Sequence, residues 1–178
     1  EIEFTGSSNN SINGGFTFNG DAIISSSGSA NFNFARNTAC IFNGDIELNC
    51  TGTGSLNIAG TAILNIGHEF NGNLTINDIT NGGTIRVGNE TGAGTIDGGI
   101  LTAGKSGTDG SIIIEGIDQI NGTGTNVLLV GTNGSISLTK SSFEQDLEFT
   151  APDFSLNESS FDNDLTVTYS SSGSSSLG

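Results

Sequence analysis

The amino-acid sequence predicts an all-β chain whose short strands stack as a β-solenoid or as a pile of β-arches. Three observations carry that expectation: a recurring apolar–polar–apolar triplet, Gly, Asn and Asp between the triplets, and an internal repeat of 18 residues. Apolar residues nowhere keep a helical spacing over even about ten positions. Met is absent and Lys plus Arg number only 4, so good helix formers are scarce.

The triplets run almost end to end. They begin with Ile2-Glu3-Phe4, Phe16-Thr17-Phe18, Phe32-Asn33-Phe34, Ile46-Glu47-Leu48 and Leu56-Asn57-Ile58. Leu64-Asn65-Ile66, Leu74-Thr75-Ile76 and Ile85-Arg86-Val87 follow, and the C-terminal part adds Ile136-Ser137-Leu138, Leu147-Glu148-Phe149, Phe154-Ser155-Leu156 and Leu165-Thr166-Val167. Strand alternation sends the outer pair of each triplet to one face and the middle residue to the other. Most lie about 8 to 11 residues apart, the spacing of many short strands.

Asn-Gly, the strongest two-residue hairpin signal, occurs seven times. A tight hairpin at Asn43-Gly44 nevertheless mixes Phe42 with carboxylates on one face, and at Asn71-Gly72 it sets Leu74 opposite Glu69. Register follows the sorting of faces, and these faces do not sort. An arch centred on Asp45 points Phe42, Ile46, Leu48, Cys40 and Cys50 into a shared core, so arches are expected in place of hairpins. Ser141–Leu147 returns as Ser159–Leu165, and Ile136-Ser137-Leu138 returns as Phe154-Ser155-Leu156. Looser copies start at Phe18, Phe42 and Phe70. Rungs of roughly 18–20 residues are therefore expected, with loops in the earlier ones. Gly88 to Gly110 is the weakest stretch and reads as an inserted loop or a loose rung. Residues 1–169 form the single predicted domain, and the Ser/Gly-rich 170–178 a flexible tail.

Acidic residues number 19 against 4 basic ones, a net charge of −15. Binding DNA or RNA needs a basic footprint, so nucleic acid is excluded as a partner. The longest purely apolar stretch, Val127–Val130, is far too short for a membrane span. The chain opens on Glu1, so the lack of a visible signal peptide says nothing about location. Composition points outside the cell. Asn-x-Ser/Thr patterns at Asn9, Asn49, Asn73, Asn89, Asn121, Asn133 and Asn157 agree with it.

Chemistry-bearing residues are few. Cys40 and Cys50 share inward parity across one arch, which predicts an intrachain disulfide. His68 is the sole histidine, too few ligands for zinc, and reads as a polar strand residue near the Phe70 turn. Asp21, Asp45, Asp146 and Asp164 stand beside turns, where side-chain oxygens accept backbone hydrogen bonds. No catalytic, cofactor or metal site is expected, although divalent cations would screen or bridge the acidic surface. Phe18, Phe42, Phe70, Phe143 and Phe161 are the expected turn anchors.

The Phe-x-x-Asn/Asp turns, the Gly-Gly pairs and the short apolar strands resemble the repeats of polymorphic outer-membrane proteins and haemagglutinin-type β-helix adhesins. That resemblance implies a surface passenger or adhesin, and it brings no catalytic residues. Two functions follow as expectations. One is a secreted structural protein assembling with itself into a filament, sheath or coat, with Ile2, Phe4, Leu165 and Val167 on its assembly edges. The other is an adhesin domain that displays a solenoid face to a receptor or glycan.

Overall fold

The computed structural model describes residues 1–35, 37–58, 67–89, 94–104, 109–170 and 175–177. These residues hold no helix. They form 23 short strands in three parallel sheets, wound as a three-sided β-solenoid.

Sheet A has eight strands: β1 (Ile2–Phe4), β4 (Ala22–Ser26), β7 (Ile46–Cys50), β10 (Leu74–Ile79), β13 (Leu101–Ala103), β16 (Asn126–Leu129), β19 (Leu147–Ala151) and β22 (Leu165–Tyr169). Sheet B also has eight: β2 (Asn10–Ile12), β5 (Phe32–Phe34), β8 (Ser55–Ile58), β11 (Thr84–Gly88), β14 (Ser111–Glu115), β17 (Ser135–Thr139), β20 (Phe154–Asn157) and β23 (Ser175–Leu177). Sheet C has seven shorter ones: β3 (Thr17–Phe18), β6 (Ile41–Phe42), β9 (Glu69–Phe70), β12 (Gly94–Asp97), β15 (Ile117–Ile120), β18 (Ser142–Phe143) and β21 (Ser160–Phe161). Every third strand in sequence is a hydrogen-bonded neighbour, so each turn of chain lays one strand on each sheet.

The triplets become the strands, outer pair inward. Phe32, Phe34, Ile46, Leu48, Leu56 and Ile58 are all buried, while Asn33, Glu47 and Asn57 between them are half-buried on the outside. A single apolar column therefore fills the tube. The Asn-Gly pairs sit at corners, not in hairpins, because every pairing is parallel.

The repeat appears as register. Leu147 pairs with Leu165, Ile136 with Phe154 and Phe143 with Phe161, all at the 18-residue offset. Earlier rungs are longer: corner residues one rung apart are separated by 24 positions at Asn19/Asn43 and by 28 at Asn43/Asn71. Of Gly88–Gly110, the described part is regular, with β12 and β13 both paired in their sheets. The triplet Leu64-Asn65-Ile66, Arg36, Lys105 and tail residues 171–174 lie outside the described residues. Ser175–Leu177, placed by sequence in the tail, pairs with β20.

The corner after sheet B recurs in the left-handed region. Ala35, Gly88, Gly116, Lys140 and Glu158 have φ of 59°, 81°, 61°, 49° and 52°. Glycine fits there without strain, and the three other residues each carry a cost of about 1–2 kcal/mol.

Candidate functional site

Side-chain ladders run along the tube axis. On the inside of sheet C, the rings of Phe18 and Phe42 stack at 5.0 Å, those of Phe42 and Phe70 at 5.3 Å, and those of Phe143 and Phe161 at 5.8 Å. All five predicted anchors thus lie in one column. Phe42, Phe70 and Phe143 are buried, whereas Phe18 and Phe161 at its two ends are half-buried. Each stacked pair adds about 0.5–1.5 kcal/mol beyond area burial.

Gln119 interrupts this column between Ile96 and Phe143. It is buried yet satisfied, donating to Gly99 O at 2.9 Å and exchanging two 2.8 Å bonds with buried Asn126. Asn126 Oδ1 also accepts the Leu101 N–H at 2.8 Å. Sequence reasoning passed over this pair. The parity of Ile117-Asp118-Gln119 held the signal, since it sends the glutamine inward.

Polar ladders run outside, at the corner between sheets C and A. Asn43 Nδ2 donates to Asn19 Oδ1 at 3.0 Å, and Asn71 Nδ2 to Asn43 Oδ1 at 2.9 Å. Two residues on, each acidic or amide side chain accepts the backbone N–H of the next rung: Asp21 from Asp45, Asp45 from Asn73, and Asp146 from Asp164, at 2.8–3.2 Å. The corner acids therefore close the backbone between rungs, and the tight turn chemistry repeats because the rungs repeat.

The expected disulfide is not formed. Cys40 and Cys50 are both buried free thiols, whose pKa values burial pushes up. Their inward parity is as expected, but β6 and β7 belong to different sheets and diverge from the corner at Asn43–Asp45. Cys40 sits between sheets B and C, whereas Cys50 ends β7, its Sγ against Gly54 O at 3.4 Å.

His68 lies just before β9, the strand expected to hold it. It is 1 % exposed, and its Nδ1 accepts the Cys40 N–H at 2.9 Å. Nε2 has no partner, and burial lowers the pKa to about 4. Burial thus keeps the imidazole neutral in contact with the core backbone. Among the described residues no three His, Cys, Asp or Glu side chains group as a metal site. A shallow groove of about 140 Å³ on sheet A, lined by Thr75, Asn77, Thr102 and Val127 among others, is smaller than the ~300–1,000 Å³ of small-molecule sites.

The predicted assembly residues occupy opposite edges of sheet A. Ile2 and Phe4 lie on β1, Leu165 and Val167 on β22, and all four are half-buried against the core. In sheet B the edge strands are β2 and β23.

No family model matches this chain, and neither a curated protein nor a solved structure does. The three parallel sheets show a β-solenoid, and no comparison ties it to the adhesin-type repeats. Its class is that of the parallel β-solenoids.

Proposed function

We propose that this chain is an extracellular structural protein that assembles with itself by stacking rungs end to end, into a filament, sheath or coat. In the contact, β22 and β23 of one copy pair with β1 and β2 of the next. Sheets A and B then run on, and sheet C, one strand shorter, is not continued.

The observation that carries the reading is Gly6. Gly28, Gly52, Gly83 and Gly110 follow it at the A-to-B corner, and a Cβ on any of these four would overlap the carbonyl oxygen of the glycine one rung earlier. Close approach of the previous rung requires glycine at those four positions. At Gly6 the same Cβ meets nothing nearer than Asn10 Nδ2 at 3.5 Å, and its φ lies outside the left-handed region. Among the described residues nothing demands glycine there; a further rung laid against β1 and β2, which a neighbouring copy would supply, gives Gly6 the role of the other four.

The half-buried Ile2, Phe4, Leu165 and Val167 support the same contact, because stacking would bury them. Edge strands with unpaired backbone groups are templates for pairing. Exposure of Asn9, Asn73, Asn121, Asn133 and Asn157 supports an extracellular setting, since glycan acceptors must be accessible.

Gly6→Ala is the test. The substituted chain should keep the wild-type urea midpoint, yet raise the concentration needed for assembly by about tenfold or more, as a clash at the contact demands. Assembly unchanged by Gly6→Ala would refute end stacking at this edge. Electron micrographs of the wild type should show an axial repeat of about 38 Å, from eight rungs spaced by ~4.8 Å.

A further inference from the structure

The acidic side chains are not spread evenly around the tube. Sheet A carries Glu3, Glu47, Asp78 and Glu148 on its outer side, and sheet C carries Glu69 and Asp118. The corner between them holds Asp21, Asp45, Asp146 and Asp164.

Sheet B is different. Its central outward row runs through Asn33, Asn57, Arg86, Ile113, Ser137 and Ser155, in register from strand to strand. Arg86 is its one charged member, and a 2.7 Å salt bridge to Glu115 neutralises it. Beside this row, Ser135 Oγ and Ser111 Oγ are 2.9 Å apart. Between its corners, among the described residues, this face has no net charge, on a chain whose net charge is −15.

We propose that the outer face of sheet B is a lateral docking surface for a second copy of this chain. Like-charged chains repel across sheets A and C, whereas on sheet B Glu115 is paired and the acids Asp109, Asp153 and Glu158 stand at the corners and not on the strands, so two copies meet the fewest opposing carboxylates there. Apart from the ion-paired Arg86 its outward side chains are short or of middling length, which lets two sheets close face to face. Ile113 sits near the middle of the row as an apolar centre within a polar surround. The dimensions also fit. Eight strands at ~4.8 Å and strands of ~15 Å give about 580 Å² per copy, or about 1,150 Å² in all, just above the ~1,000 Å² lower limit for a specific interface. The contact is two-fold, each copy offering the same face. It is independent of end stacking.

Sedimentation equilibrium of the Gly6→Ala chain, over a range of protein and salt concentrations, is the experiment. A monomer–dimer equilibrium that strengthens with salt is expected. Ser137→Asp with Ser155→Asp, which puts two like charges at the centre of the face, should weaken the dimer by about tenfold or more. Thr166→Asp with Thr168→Asp adds the same charge on the outside of sheet A and should change it by less than about twofold. Circular dichroism melts of both variants confirm that each folds. No dimer at any concentration overturns the proposal, as does equal weakening by both pairs, or capture of a neutral polysaccharide on this face without a dimer. The two readings separate cleanly. Wild-type polymers with a strictly monomeric Gly6→Ala chain would sink the lateral contact alone, and dimers of both chains with no polymers would sink end stacking alone.

Discussion

Phe143 and Phe161 stand one rung apart in the same column, but their surroundings differ. Phe143 is fully buried, with a ring below it and the Gln119 layer above, while Phe161 is half-buried at the column's end. Phe143→Ala should therefore cost about 3–5 kcal/mol, as large-to-small core substitutions do, and Phe161→Ala clearly less. Urea unfolding of both variants decides it, and equal losses would contradict the register. His68 offers a second residue-scale test. Its pKa is about 4 in the fold against an ordinary 6.5. On acidification the unfolded chain takes up this proton first, so the group's contribution is whole above about pH 6.5, declines as pH falls toward 4, and is flat below. The total is roughly 3 kcal/mol at most. His68→Gln removes the titration, so its urea midpoint should fall less than that of the wild type between pH 7 and pH 4. Identical pH profiles would mean that the imidazole is not buried.

At the scale of strands and corners, the sequence was legible where alternation sorts polar from apolar. Phe32-Asn33-Phe34 or Ile136-Ser137-Leu138 has one buried phase, and the strand follows from it. Rung length was legible in the C-terminal part, where the 18-residue repeat is the strand register, and less so earlier, because corners vary in how much chain they hold while the strands they join keep register; the 24- and 28-residue spacings are whole rungs. The Cys40–Cys50 pairing failed for a related reason. Parity decides which face a side chain takes, not which of three sheets its strand joins. Corners also set a prediction. A Cβ at Gly44 would lie 2.6 Å from Gly20 C and 2.7 Å from Asp21 N, whereas at Gly20 it meets nothing within 4 Å. Gly44→Ala should cost several kcal/mol, about 2–4, by forcing rungs apart, and Gly20→Ala should stay within about 0.5 kcal/mol. Comparable thermal shifts in the two variants would show that rung spacing does not dictate the corner glycine.

For the whole molecule, attraction along the axis competes with charge. Backbone pairing and apolar contact at the edges of sheets A and B favour adding a copy, while a net charge of −15 on each chain opposes it. Salt shortens the reach of that repulsion to about 8–10 Å near physiological strength and to about 3 Å at 1 M, leaving contacts at the edges untouched. Divalent cations should act the same way at lower concentration. The segregation of carboxylates onto sheets A and C was legible only once the three-sided winding assigned each outward residue to a face. The measurement that bears most directly on self-assembly is sedimentation velocity of the wild-type chain at low and high salt, with and without calcium. Large species that grow with salt, calcium and protein concentration are predicted. A sharp monomer under every one of these conditions, at high protein concentration, would contradict the structural reading and leave the adhesin in its place.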